Sequence, residues 1–313
     1  MRKTCLDWVY QLAKKDQRVV FIGSDLGAGT LDQFKNEFRD RFFMEGVSEA
    51  NIVSMAAGLA LEGRIVYVNT IATFLTRRCF EQVVLDLGLH NANVRLIGSG
   101  GGVVYAPLGP THLAIDDLAI MRAIPHMTIV APCDADEMAR LMPLTLDHRG
   151  PLYIRLGKGG DPIVSTAAPF EIGRAIPLIR GDDVLLVSTG ITARIALDAA
   201  ASLRADGISA AVLHMHTVKP IDVDGFLSHA AGVDAIVAIE EHSIVGGLGG
   251  ALAEIVAEAG FEPAKRFKRI GIPDVFPHGY GSQATMMAKY EITAERASAV
   301  VRELLAFRPA RTS

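Results

Sequence analysis

The sequence predicts an α/β chain built as two doubly wound domains, and three observations carry that prediction. Short apolar runs of strand length alternate with amphipathic stretches of helix length. Those runs are apolar at almost every position, as in parallel strands covered on both faces. The alternation fails once, in a stretch rich in glycine and proline, and then resumes.

Taken in order, residues 18–23 (RVVFIG) form the first buried strand. A helix is expected over 49–62, with Ser48 as its N-cap and Gly63 as its stop. Residues 64–69 give the next strand and 74–87 the helix after it. Further strands fall at 94–98, 127–130 and 152–155. Gly157, Gly159, Gly160, Pro162 and Pro169 then mark a linker, dividing the chain into residues 1–165 and a smaller unit, 166–313. In the second unit, 183–188, 210–214 and 235–239 read as strands. Residues 192–204, 247–259 and 293–306 read as helices. Each unit is therefore expected to be a parallel sheet wrapped by helices.

Composition excludes several classes. The 313 residues carry 31 Lys and Arg against 35 Asp and Glu, for a net charge of -4, so no basic nucleic-acid surface is expected. With 6% aromatic residues, base stacking is also disfavoured. Cys5, Cys79 and Cys133 are widely spaced, which argues for a reducing compartment and against disulfides or structural zinc. No apolar stretch has the length of a membrane span and the start of the chain does not read as a signal peptide, so a cytoplasmic protein is expected.

The chemistry-bearing segments lie mostly in the first unit. Glu49, in Gly46-Val47-Ser48-Glu49-Ala50-Asn51, sits where a helix dipole favours an anion. Phe74, Arg77 and Arg78 follow in Thr73-Phe74-Leu75-Thr76-Arg77-Arg78, trailed by Glu81-Gln82. Gly109-Pro110-Thr111-His112 places a histidine, a proton donor or acceptor near neutral pH, after a tight turn. Asp25 follows the first strand, where ligands sit in open α/β sheets or where a turn takes an aspartate. Tyr153-Ile154-Arg155 ends a strand with a guanidinium fork, suited to an anionic substrate or to an inter-domain ion pair.

Together these segments resemble the transketolase superfamily. Arg41-Phe42 through Asn51 is similar to its R-F-x-x-x-G-[IV]-x-E-x-N stretch, and Gly109–His112 to its G-P-T-H signature. Thr217-Val218-Lys219-Pro220-Ile221-Asp222 and Glu240-Glu241-His242 resemble its C-terminal domain, as fold and dimer-contact features. The resemblance implies thiamine diphosphate as cofactor. It implies that Glu49 holds N1′ of the aminopyrimidine and so promotes loss of the thiazolium C2 proton. It further implies that Phe74 stacks on the pyrimidine, that Arg77 or Arg78 faces the cofactor or an anionic substrate, and that Asp25 lies near the cofactor. His112 is implied to handle substrate hydroxyls and Arg155 to contact an anionic sugar. A sugar or sugar phosphate is the expected substrate, and transfer of a two-carbon ketol unit from ketose to aldose the expected reaction.

The resemblance covers the family's pyrimidine-binding and C-terminal domains only. The family's diphosphate-binding domain, with its G-D-G start, has no counterpart in the sequence. A separate diphosphate-binding subunit is therefore expected to hold Mg²⁺ and complete an α₂β₂ assembly, with no metal ligands on this chain. Leu108 stands where the family's transketolases carry a hydroxyl-reading aspartate, and Gly100-Gly101-Gly102 where they carry a phosphate-binding histidine. An unusual ketose donor or acceptor is expected in consequence. The alternatives are the β subunit of a 2-oxoacid dehydrogenase decarboxylating component, 1-deoxyxylulose-5-phosphate synthase-like chemistry, and an inert scaffold.

Overall fold

The computed structural model describes residues 1–24, 31–157, 159–165 and 168–306. Its strands are β1 (Val19–Gly23), β2 (Phe42–Met44), β3 (Ile65–Ile71), β4 (Val94–Ser99), β5 (Thr128–Val130) and β6 (Leu152–Leu156), followed by β7 (Ile176–Ile179), β8 (Val184–Ser188), β9 (Ala210–His214), β10 (Thr217–Lys219), β11 (Ala235–Ser243) and β12 (Arg266–Ile272). They form a seven-stranded sheet in the order β10-β5-β6-β4-β3-β1-β2 and a five-stranded sheet in the order β12-β11-β8-β9-β7. Each sheet is parallel except at one edge, where β10 runs against β5 and β7 against β9.

Both sheets are covered on two sides, which is why their strands are apolar at nearly every position. Val20, Ile22, Val66 and Val68 pack one face of the first sheet, beneath Ile52 and Ala56 of the helix Glu49–Leu61. Val19, Phe21 and Tyr67 pack the other, beneath Leu6 and Val9 of the helix Arg2–Lys15. The second sheet divides likewise: Val184 and Leu186 face the helices Thr192–Ala205 and Ala294–Ala306, while Leu185 and Val187 face Phe226 and Leu252. Among the described residues no helix is long and apolar enough to cross a membrane.

Two expectations need correction, and one strand was not expected. The helix expected over 74–87 is π-helical over Phe74–Arg78 and Val83–Leu89, with one short α-turn between. Thr76 and Cys79 donate back to the carbonyls of Ala72 and Leu75, and such back-bonding deforms a helix. Ser48 does sit at the N-cap position, but its hydroxyl donates to the Glu45 carbonyl at 3.0 Å instead of capping the helix. The segment Thr217–Lys219 is a strand of the first sheet, so the second half of the chain reaches back across the linker.

The seam between the sheets holds two buried polar groups. In one, Glu137 accepts from the Cys133 amide at 2.6 Å and lies 3.0 Å from His214 Nε2. Burial opposes the Glu137 charge, but His214 outweighs it and brings the carboxyl down to about 2. In the other, Arg155 Nε donates to Asp117 at 2.8 Å and its Nη2 to the Glu241 carbonyl at 2.8 Å.

Candidate active site

The loops after β2, β3 and β4 leave the carboxyl ends of parallel strands, where open α/β sheets bind ligands. They bring Glu49, Phe74, Arg78 and His112 into one chain of contacts. Glu49 opens its helix and is 3% exposed, although Glu45, Gly46 and Val47 just before it are exposed. Arg78 Nη1 donates to Glu49 Oε2 at 2.8 Å. The same guanidinium carbon lies 4.0 Å from the centre of the Phe74 ring. His112 meets Phe74 edge-on, with ring centroids 5.0 Å apart. Thr111 Oγ1 lies 2.9 Å from His112 Nδ1 and so steadies the half-buried imidazole.

The two neighbouring arginines divide their work. Arg78 touches Glu49 and Phe74. Arg77 turns the other way: it donates to Thr73, donates to the Leu113 carbonyl at 2.9 Å and lies 3.7 Å from Asp116. It thus ties the segment just past His112 to the turn carrying Phe74.

Arg155 departs from the expected substrate contact. Its side chain is 7% exposed and pairs with Asp117, which is fully buried and also accepts from Tyr153 at 2.7 Å. Burial opposes the Asp117 charge, yet Arg155 prevails and holds that carboxyl below the usual range. Arg155 Nη2 also donates to the Ala114 carbonyl at 3.2 Å and to the Glu241 carbonyl at 2.8 Å. Asp25 lies outside the described residues. Its neighbour Ser24 donates to Thr70 at 2.8 Å, beside the β3 loop.

Sequence reasoning missed the clamp under the His112 loop. Glu241 Oε1 accepts from the Val103 amide at 2.8 Å and from Gln283 at 2.9 Å, tying the two domains together behind the loop. Burial pushes the Glu241 carboxyl up to about 7, against the pull of Arg155. No local pattern announces this, because the three partners lie in distant parts of the chain.

A buried carboxylate beside an aromatic ring and an imidazole suits a flat nitrogen heterocycle: the carboxylate meets its edge and the ring its face. Among the described residues Glu49 Oε1 has no donor, so one oxygen stays available while Arg78 fixes the other. Among the described residues the one group of three prospective metal ligands is Cys133, Glu137 and His214, buried at the domain seam.

The two-domain α/β fold is that of the pyrimidine-binding and C-terminal domains of thiamine-dependent transferases. Residues 1–160 match the transketolase pyrimidine-binding domain and residues 173–296 the transketolase C-terminal domain, so the chain belongs to the transketolase family. It is 36% identical to a putative transketolase C-terminal section of Methanocaldococcus jannaschii, over 93% of this chain and 91% of that one. It is 37% identical to a 6-deoxy-6-sulfo-D-fructose transketolase subunit of a Clostridium species, over 95% of each. A solved split-gene transketolase, described as an inactive β4 tetramer, superposes with a TM-score of 0.90 at 34% identity, covering 98% of this chain and 99% of that one. A 1-deoxy-D-xylulose-5-phosphate synthase of Symbiobacterium thermophilum is 37% identical over 97% of this chain but only 48% of its own length.

Proposed function

We propose that this chain is the pyrimidine-binding subunit of a two-chain transketolase, active when a separate subunit binds the diphosphate and Mg²⁺ of the cofactor. The buried Glu49, set against Phe74 and reached by His112, carries this reading. Bound thiamine diphosphate supplies carbanion chemistry at its thiazolium carbon, which moving a two-carbon ketol unit from ketose to aldose requires. Glu49 Oε1 holds the proton at the pyrimidine ring nitrogen, and burial keeps water from competing for it. Arg78 fixes Oε2 and so sets the angle at which Oε1 is presented. Phe74 offers an apolar surface to the ring. His112, steadied by Thr111, exchanges protons with substrate hydroxyls.

The split reading draws support from relatives that are themselves named as sections or subunits and match almost end to end. The exposed side chains of Val47, Phe80, Leu85 and Leu89, around the Glu49 helix and the π-helical segment, add an apolar surface suited to self-association. We place the protein in the cytoplasm, with neither membrane nor nucleic acid as partner. The test is reconstitution with a separate diphosphate-binding chain. Ketol transfer is expected only from the mixture, dependent on thiamine diphosphate and Mg²⁺. Full turnover by this chain alone contradicts the proposal.

A further inference from the structure

The seam between the two sheets holds a set of donors that the candidate active site does not use. Cys133 follows β5, Glu137 lies in the helix Ala135–Leu144, and His214 ends β9. The first two belong to one domain and the third to the other. The Cys133 thiol, a Glu137 carboxylate oxygen and a His214 ring nitrogen all lie within 4.8 Å of one another, and all three residues are buried. No spacing in the sequence announces the group, because His214 stands 77 positions from Glu137.

Hydrogen bonding leaves the group incomplete. Glu137 Oε2 accepts from the Cys133 amide at 2.6 Å and lies 3.0 Å from His214 Nε2. Among the described residues Oε1 of this fully buried side chain meets no donor. His216, also fully buried, stacks on Phe170 with ring centroids 4.0 Å apart, and its Nε2 likewise has no partner among the described residues. Its ring centroid lies 6.0 Å from that of His214. Orphaned polar atoms sealed from water are costly, so two in one seam point to something that meets them. The charges fit a divalent cation. Asp134 Oδ2 lies 3.5 Å from the Cys133 thiol, and Arg140 is an opposing cation whose charge is felt at His216. A Cys133 thiolate with Glu137 and Asp134 carries three negative charges, which a divalent ion and Arg140 balance.

We infer that Cys133, Glu137 and His214 are ligands of a zinc ion that pins the two domains together. Sulfur, nitrogen and oxygen donors in one small set suit zinc, whereas Mg²⁺ and Ca²⁺ take oxygen. Ligation needs the thiolate. Burial, with Glu137 and Asp134 close by, holds the Cys133 thiol protonated, and zinc displaces that proton. Ligation through His214 Nε2 puts the ring proton on Nδ1, where Ser188 Oγ lies 3.3 Å away to accept it. The site stands whether or not the chain is a transketolase.

The test uses the full chain, purified without a metal-binding tag, stripped with a chelator, loaded with Zn²⁺ or Co²⁺ and desalted. Elemental analysis is expected to find about one zinc per chain. The thermal midpoint is expected to rise by about 5 °C over the stripped chain. The cobalt form is expected to show tetrahedral visible bands and a thiolate-to-cobalt charge-transfer band. Cys133→Ser is expected to lose the charge-transfer band, and His214→Gln to weaken zinc binding more than about a hundredfold. The wild-type spectrum decides the matter even where a variant does not fold. A wild-type chain that stays folded by circular dichroism and holds less than about a tenth of an equivalent of zinc overturns the site, leaving a metal-free Glu137–His214 pair. A cobalt form without the thiolate band does the same. Zinc that binds but leaves the midpoint unmoved overturns the pinning of the domains.

Discussion

The first domain contains two carboxylate–arginine pairs of the same length, Glu49–Arg78 and Asp117–Arg155, each at 2.8 Å. Their settings are opposite. Arg155 and Asp117 are 7% and 0% exposed, and Arg155 Nη2 also donates to the Ala114 and Glu241 carbonyls. Arg78 is 46% exposed and pairs with a carboxylate that is 3% exposed. One pair is buried and both oxygens of its carboxylate are taken, so it serves as an internal strut. The other has an open side, through which a ligand can meet the carboxylate. The distance between the charges does not separate the two roles; access and spare hydrogen-bonding capacity do.

That contrast is sharpest if each pair is broken in turn. Arg155→Ala leaves Asp117 buried without its cation, and a loss of about 3–5 kcal/mol in unfolding free energy is expected from denaturant titration. A stable Arg155→Ala chain with altered substrate affinity would return Arg155 to the substrate site.

Next in size is a pH effect on the same seam. The Glu241 carboxyl lies near 7 in the folded chain against an ordinary 4.5, so the folded state binds that proton more tightly. Its contribution is complete below pH 4.5 and is lost as pH rises to about 7, by up to roughly 3 kcal/mol. Glu241→Gln removes this slope. The difference in stability between the two chains should therefore move in favour of the variant from pH 4.5 to pH 7. The difference also cancels His216, whose neutral form is favoured by burial and whose contribution runs the other way. Parallel stability curves would show that Glu241 is ionised throughout.

The smallest effect belongs to the open pair. Arg78→Ala should change stability by no more than about 1 kcal/mol, because its guanidinium is half exposed. Turnover of the mixed enzyme should fall about tenfold as Glu49 loses its brace. A stability loss matching that of Arg155→Ala would erase the distinction between the pairs.

Sequence patterns reached the two-sheet architecture because strands covered on both faces must be apolar, as β1, β3, β4 and β8 are. They missed β12, an edge strand whose Arg266, Lys268 and Arg269 look like a surface loop. They missed β10, since Thr217-Val218-Lys219 before Pro220 reads as a turn. Glu49, Phe74 and His112 were legible because each sits in a local motif, and the fold brings them together. For Arg155 the sequence left an anionic substrate and an ion pair open and could not choose between them, because its partner Asp117 is remote in sequence. The seating of Tyr280 on Gly109 was not legible either, because the two residues lie in different domains.

The central claim is that Glu49 governs proton transfer on a bound aminopyrimidine. It is tested most directly by measuring hydrogen–deuterium exchange at C2 of thiamine diphosphate in the two-chain complex, with wild-type chain and with Glu49→Gln. The account predicts that exchange slows about a thousandfold in the variant, while cofactor affinity and thermal stability stay close to wild type. Equal exchange rates in the two complexes would contradict it.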